Sequence, residues 1–329
     1  MTWLRDSGKP LPRSSKWLAS SSVLLATGVL YLVFRPAFAG SDPKQKSPNG
    51  TRVASIARDT AKPPALLTVP NPSSAKAGSE ADSSATTEAD RVAMLMNLAL
   101  LEQGRRRLAE CADYTCTLFK QERIGGELTD GQSIELKLRH RPFSVYMKWG
   151  SGDKGREALY VEGADDNRLT VHPGGWKARI VPAIKIDPEG SLAMSEARHP
   201  VTMVGLIKLC DEITVRRKNE LAHRLPVHCR LLENEVVNER PCYGFVSTYL
   251  DRKCSEDYRK STHYVDKEWL VPICVKNYAW PEAKQTFADD NALDEATLVE
   301  HYAYSELQFN QRLAAQDFDR ANEAYGFRR

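Results

Sequence analysis

The spacing of hydrophobic positions changes near residue 112, where a helical period gives way to alternation. Upstream, one helical face carries the apolar residues Val92, Leu95, Met96, Ala99, Leu108 and Cys111. Thr87 and Asp90 have the spacing of a capping box, which predicts that this helix begins near Glu88. Downstream, apolar and polar residues alternate in short runs separated by Gly, Asp and Asn, a pattern typical of antiparallel strands.

The alternating runs predict a grouped arrangement of strands and helices. The first strands are predicted at 113–123, 134–139, 143–149, 157–163, 168–172 and 176–186. Helices follow at 191–197 and 201–217, and later strands at 226–233, 242–250, 258–265, 270–278 and 298–309. Because strands and helices do not alternate, the pattern indicates an α+β fold. No repeat or second linker interrupts residues 88–329, so we expect a single domain there.

The first 87 residues have a different composition. Basic residues precede an apolar run at 23–34, and Ala37 and Ala39 then occupy the small-residue positions of a cleavage site. This order predicts a secretory signal peptide over residues 1–39. The alternative is a retained membrane anchor, with membrane association through residues 17–34. Residues 40–87 are rich in Pro, Ser and Ala and predict a disordered linker.

Both N-terminal interpretations place the domain outside the cytoplasm, in the periplasm or cell envelope; a retained anchor would hold it at the inner membrane. The whole chain has a formal charge of +3. Residues 1–39 carry five basic side chains and one acidic one, so their removal leaves a charge of about −1. A near-neutral surface does not indicate a nucleic-acid partner.

The seven cysteines lie in the exported part, where disulfides can persist. Their odd number leaves at least one unpaired, and no pair has C-x-x-C spacing. Cys242 could bridge to Cys254, and Cys111 to Cys116. We favour the alternative that most are small buried hydrophobic residues.

The sequence lacks the common catalytic motifs. It has no G-x-S-x-G, H-E-x-x-H, Walker or G-x-G-x-x-G motif, and its histidines are not spaced as a metal site. Two Asp/Asn-rich loops, at 165–167 and 289–291, are interpreted as turns rather than calcium sites. Glu122, Glu157 and Glu162 are interpreted as solvated edges of amphipathic strands. We therefore expect no catalytic residues, no metal and no cofactor.

Aromatic residues are concentrated in the first half of the predicted sheet. The candidates for lining a ligand cavity are Phe119, Phe143, Tyr146, Trp149, Tyr160 and Trp176. Apolar positions also fall on both faces of one strand, with Cys116 and Leu118 on one side and Phe119 on the other. This favours a helix on one face and a ligand or partner on the other. The alternative is an ordinary core with scattered surface aromatics.

Several stretches carry a family resemblance. The runs at 114–123, 126–128, 141–146 and 159–163, with 304–307 and 317–319, resemble an uncharacterised family of exported bacterial proteins. That family is grouped with the lipoprotein carriers LolA and LolB. The resemblance implies a curved antiparallel sheet that forms an incomplete, half-open β-barrel covered by helices, with an apolar hollow for acyl chains. The family has no assigned site, so no residue role is carried over.

These observations lead to one hypothesis and two alternatives. The first is a non-enzymatic cell-envelope protein that binds a lipid or lipoprotein acyl chain in the apolar half-barrel. The second is a membrane-tethered structural or protein-interaction module with a closed core. The third is an envelope hydrolase with carboxylates in the cavity.

Overall fold

The alternation that begins at Asp113 builds one large antiparallel sheet. The computed structural model describes residues 86–328. The strands are β1 (Asp113–Ile124), β2 (Glu127–Leu128), β3 (Gln132–Arg139), β4 (Ser144–Trp149), β5 (Glu157–Val161), β6 (Leu169–His172), β7 (Ile184–Ile186), β8 (Val227–Val237), β9 (Arg240–Tyr249), β10 (Lys260–Asp266), β11 (Pro272–Tyr278) and β12 (Leu298–Phe309). The α-helices are α1 (Glu88–Glu110), α2 (Ser191–Met194), α3 (Leu206–His223) and α4 (Asp290–Thr297).

The strand order places both ends of the strand-forming sequence at the centre of the sheet. The order is β7-β6-β5-β4-β3-β1-β12-β11-β10-β9-β8, and β2 pairs with the end of β1. Strand β1 therefore pairs with β12, in a register that sets Phe119 opposite Ala303. The outer strands β7 and β8 do not pair with each other in the described structure, so the sheet stays open. The fold class predicted from the sequence, an antiparallel sheet not closed into a barrel and covered by helices, is confirmed.

Helix α1 begins where predicted but buries a different face. Thr87 and Asp90 form the predicted capping box. The residues that α1 buries are Asp90, Ala93, Met94, Asn97, Leu101, Gly104 and Leu108. Val92 and Leu95 of the predicted core face are instead 57% and 53% exposed, so the prediction is wrong for them, whereas Leu108 and Cys111 are buried as predicted.

Specific packing explains the orientation of α1. The Asn97 side chain contacts the His263 ring nitrogen at 3.1 Å, which satisfies a buried polar group. A Cβ atom on Gly104 would lie 2.0 Å from the carbonyl oxygen of Leu270, so only glycine allows the helix to approach this closely. A count of apolar residues penalises Asn and Gly, although both define the contact face here. Helices α1 and α3 pack together, α1 on β8 and α3 on β11.

The predicted helix at 201–217 is broken by Gly205. A 3₁₀ turn covers Val201–Met203, Gly205 follows with φ at +113°, and α3 then begins at Leu206. The Leu206 N–H donates to the Tyr114 hydroxyl at 3.0 Å. This contact fixes the start of α3 above the centre of the sheet.

Two further predictions are corrected in loop regions. The predicted strand at 176–186 is a 3₁₀ turn over Gly175–Arg179, and only Ile184–Ile186 pairs with β6. Trp176 is therefore exposed on a turn rather than placed on a strand. Asp289, interpreted as part of a turn, caps α4 by accepting from the Ala292 N–H at 2.8 Å.

The C-terminal residues 313–328, which we call the strap, cover one face of strands β3–β6. The Tyr325 ring stacks on Tyr146 with centroids 3.9 Å apart, and Lys137 Nζ lies 2.6 Å from Asp317. A cluster of buried residues forms beneath the strap: Tyr146, Leu159, Phe318, Tyr325 and Phe327. This face of the sheet, which carries the candidate Tyr146, is thus covered there by the chain itself.

The predictions for the N-terminus lie outside the described residues: the signal peptide with Ala37 and Ala39, the anchor at 17–34, and most of the linker. Thr86 and Thr87, at the end of the predicted linker, belong to the domain. The Thr86 hydroxyl donates to Leu225 O at 3.1 Å and accepts from the Val227 N–H at 3.0 Å. Within residues 86–328, every helix is too short or too polar to cross a membrane.

Candidate functional site

The face of the sheet opposite the strap carries a continuous apolar layer on β1 and β3–β6. Cross-strand register aligns alternate residues in rows, for example Cys116, Leu136 and Met147. The layer consists of Cys116, Leu118, Ile134, Leu136, Leu138, Val145, Met147, Trp149, Ala158, Tyr160, Leu169 and Val171, all at most 8% exposed. Helices α1 and α3 pack mainly on β8 and β11, in the other half of the sheet, so they do not cover most of this layer.

Residues 187–205, which we call the lid, cross this apolar layer from β7 to the start of α3. Near its middle, Glu196 forms an ion pair with Arg156 at 2.8 Å, and the Arg156 guanidinium lies 5.1 Å from the centre of the Trp149 ring. Near its end, Gly205 packs against Leu138. None of the residues from 191 to 204 is buried. A segment with so few buried contacts is expected to open more readily than the sheet beneath it.

The same face becomes polar towards one end of the central strands. Along β1, the side chains on this face change from Leu118 to Lys120 and then Glu122, because every second residue points the same way. Glu300 of β12 is the direct cross-strand partner of Glu122. This pairing places two carboxylates side by side beneath the end of the lid. Both glutamates are 2% exposed.

Glu300 accepts hydrogen bonds at both oxygens. Arg198 Nε and His199 Nε2 lie 3.2 and 2.9 Å from Oε2, while the Tyr258 hydroxyl and Asn277 Nδ2 donate to Oε1 at 2.9 and 2.6 Å. Burial by itself would raise the pKa of Glu300. The donors from His199, Asn277 and Tyr258 outweigh burial and lower the pKa of Glu300 to about 2. This carboxylate is therefore ionised at neutral pH.

Glu122 is held by a second set of donors. The Tyr302 hydroxyl donates to Oε1, Lys120 Nζ lies 3.0 Å from Oε2, and the Arg198 N–H donates to Oε2 at 3.2 Å. The neighbouring carboxylates raise the pKa of Tyr302 further than burial alone would. Tyr302 thus stays protonated and can donate to Glu122.

The interpretation of three glutamates as solvated strand edges is corrected for two of them. Glu122 and Glu157 are 2% and 5% exposed, and Glu157 accepts from the Gly326 N–H of the strap at 2.7 Å. Glu162 is exposed, as expected. Alternation cannot reveal these partners, because they come from distant segments of the chain.

His199 carries the titratable positive charge of the lid. Its hydrogen bond to Glu300 raises the pKa of His199, against the opposing effect of burial. General acid catalysis by a carboxylic acid needs a raised pKa near the working pH. Since the pKa of Glu300 is lowered and its oxygens are occupied by donors, this arrangement is suited to anchoring the lid rather than to proton transfer.

The six aromatic residues predicted to line a cavity do not come together in one site. Trp149 and Tyr160 lie in the apolar layer, and Phe143 packs on Tyr160 with ring centres 6.1 Å apart. Tyr146 lies on the opposite face, beneath the strap. Phe119 also lies on that face, 4.9 Å from the His301 ring, and Trp176 is 62% exposed. A role in ligand binding stays a prediction for all six.

The seven cysteines are free thiols, so neither suggested disulfide is present. All but Cys254 are buried, consistent with the interpretation as small hydrophobic residues. Burial raises the pKa of the Cys242 thiol to about 12 and that of Cys274 to about 11. In residues 86–328, no cluster of three or more His, Cys, Asp or Glu side chains is arranged to hold a metal ion.

Fold and site together define the class of this molecule: an α+β protein whose open antiparallel sheet keeps an apolar face beneath a polar-anchored lid. The family model described as "Protein of unknown function (DUF1571)" matches residues 111–327, and the chain belongs to this family. The uncharacterised family that the sequence resembles is thereby confirmed. No curated protein matches the chain.

Several solved structures are similar to this chain in fold. The lipoprotein LppX of Mycobacterium tuberculosis is 10% identical, with a TM-score of 0.38 over 68% of this chain and 99% of LppX. A DUF1329 family protein of Desulfovibrio piger is 12% identical, with a TM-score of 0.34 over 71% of this chain and 98% of that one. A LolA superfamily protein of Nitrosomonas europaea is 13% identical, with a TM-score of 0.28 over 67% and 96%.

Proposed function

We propose that this protein is a non-enzymatic binder of a lipid or lipoprotein acyl chain in the cell envelope. The acyl chain lies on the apolar layer of β1 and β3–β6 after the lid moves aside. The observation that carries this proposal is the contrast between the apolar layer and the lid. The layer presents twelve apolar side chains that are at most 8% exposed, whereas no residue from 191 to 204 of the lid is buried.

Exposed apolar residues that precede the lid in the chain or lie within it support the same role. Ile180 and Met203 are 68% and 40% exposed, and Trp176 is 62% exposed. These residues precede the lid or lie near its end, where an entering acyl chain would meet them. Burying apolar surface stabilises a complex by about 25 cal/mol per Å², so the rim contributes to affinity when the chain is bound.

The test is direct binding to the purified full chain. The protein is titrated against a fluorescent fatty acid, and an organic-solvent extract of it is analysed by mass spectrometry. We expect saturable binding and a co-purified lipid. A structural or interaction module would show neither, and that result would refute the proposal.

Matched variants locate the binding surface. Ile180→Ala and Met203→Ala remove exposed apolar side chains before and within the lid, and we expect each to weaken binding of the probe severalfold. Val236→Ala removes a side chain that is 59% exposed on β8, at the opposite edge of the sheet from β7, and serves as the control. Equal affinities of all three variants and the wild type would remove the lid from the binding site.

A further inference from the structure

The lid makes several polar contacts to the sheet. Arg198 and His199 both contact Oε2 of Glu300, and the Arg198 backbone N–H donates to Glu122. Glu196 adds the ion pair with Arg156. Residues 191–204 contribute no fully buried side chain, so these contacts are the specific interactions that hold the closed lid over the apolar layer.

We propose that Arg198 and His199 with Glu122 and Glu300 form a pH-sensitive latch that keeps the lid closed and releases it as the pH rises. The latch concerns the position of the lid and is tested without any ligand. Only the consequence of release, that an acyl chain would gain access to the apolar layer, rests on the proposed function.

His199 is the latch residue whose charge changes near neutral pH. The charged and titratable groups around it are Glu300 and Tyr302 of β12, Lys120 and Glu122 of β1, Glu212 and Arg216 of α3, Tyr258 before β10, and Arg198 of the lid. The adjacent carboxylates favour its protonated form, and the Glu300 hydrogen bond raises the pKa of His199. Glu300 stays ionised throughout, because its pKa is lowered to about 2.

The direction of the effect follows from these charges. A group with a raised pKa in the closed state stabilises that state fully at low pH and loses its contribution as the pH rises through the raised value. Deprotonation of His199 replaces an ion pair with a neutral contact, so the closed lid becomes less stable. Glu196 acts in the same sense, because burial raises its pKa although its ionised form pairs with Arg156 at 2.8 Å.

The test is amide hydrogen exchange of the full chain, followed in peptides covering residues 188–204. Rates are measured from about pH 6 to about pH 9 and corrected for the intrinsic base catalysis of exchange, so that they give the opening equilibrium of the lid. We expect the opening constant of the wild type to rise at least about threefold, the scale of one partly exposed ion pair.

Two variants assign the effect to the latch. In His199→Gln the side chain keeps a hydrogen-bond donor but has no charge, and we expect a weaker pH dependence than in the wild type, with an opening constant close to that of the wild type at high pH. His223→Gln changes an exposed histidine at the end of α3 and should keep the wild-type profile. A flat profile for the wild type, or the same pH response in His199→Gln, would overturn the latch. Failure of the fatty-acid titration alone would overturn the proposed function and leave the latch intact.

Discussion

Glu300 is the residue whose replacement tests the buried polar cluster most severely. Its ordinary pKa of 4.5 is lowered to about 2 in the folded protein, although the side chain is almost fully buried. A shift of this size corresponds to roughly 3 kcal/mol of stability. Because the folded-state pKa is depressed, this stability is present at pH values above about 4.5 and is lost as the pH falls towards about 2.

We expect Glu300→Gln to lower the free energy of unfolding at pH 7 by roughly 3 kcal/mol. The change removes the charge and sets an amide N–H₂ against donors from Tyr258, Asn277 or the lid, so at least one buried donor loses its acceptor. The free energy is measured by urea unfolding of the full chain at pH values from about 7 to about 3. The variant should also lose less stability than the wild type over the acid range.

The control for this experiment is Glu127→Gln, at an exposed glutamate on β2. That variant should match the wild type at every pH, since surface substitutions are usually within about 0.5 kcal/mol. If Glu300→Gln is as stable as the wild type at pH 7, the hydrogen bonds to Glu300 do not stabilise the fold. If wild type and variant lose equal stability in acid, the lowered pKa of Glu300 is refuted.

Three other changes test the packing. Gly104→Ala places a Cβ atom against the carbonyl of Leu270, and we expect it to destabilise the protein by about 1–3 kcal/mol in urea unfolding. Its control, Gln103→Ala on the exposed side of α1, should leave the stability unchanged. Phe318→Ala removes a buried ring of the strap and should cost about 3–5 kcal/mol, unless the strap detaches without unfolding the sheet. Cys254 is the least buried cysteine, so we expect Cys254→Ser to abolish the fastest phase of thiol modification in the native protein. An unchanged fast phase would show that one of the buried thiols becomes exposed.

The strands were predictable because apolar and polar side chains alternate along them in step with buried and less buried positions. Ile134, Leu136 and Leu138 are buried, with polar or less buried residues between them, and the predicted strand at 134–139 lies within β3. The pairing of β1 with β12 was not predictable from a local pattern, because it joins the two ends of the strand-forming sequence. The resemblance to a family supplied the open shape of the sheet, which alternation alone does not specify.

The errors arise where an environment is set by distant residues. The buried face of α1 was misassigned because two of its residues are not hydrophobic. Asn97 is buried through its contact with His263, and Gly104 through the close approach of the Leu270 backbone. Glu122 was misassigned because its donors come from β12 and the lid. The aromatic candidates were grouped by strand, whereas Tyr146 and Trp149 face opposite sides of β4. Period-2 spacing separates these two residues, but it does not identify the face that the lid covers.

The two covers of the first half of the sheet differ in how they are held, and this difference determines which of them can open. The strap inserts Phe318, Tyr325 and Phe327 into a buried cluster, and each is at most 9% exposed. Releasing the strap would expose three aromatic rings, which is costly because each buried ring contributes several kcal/mol. Releasing the lid exposes no fully buried side chain of its own, but it uncovers the apolar layer and breaks contacts that include partly exposed ion pairs. An acyl chain would repay part of that cost by covering the apolar layer again, so we expect ligand entry on the lid side and a strap that stays in place throughout.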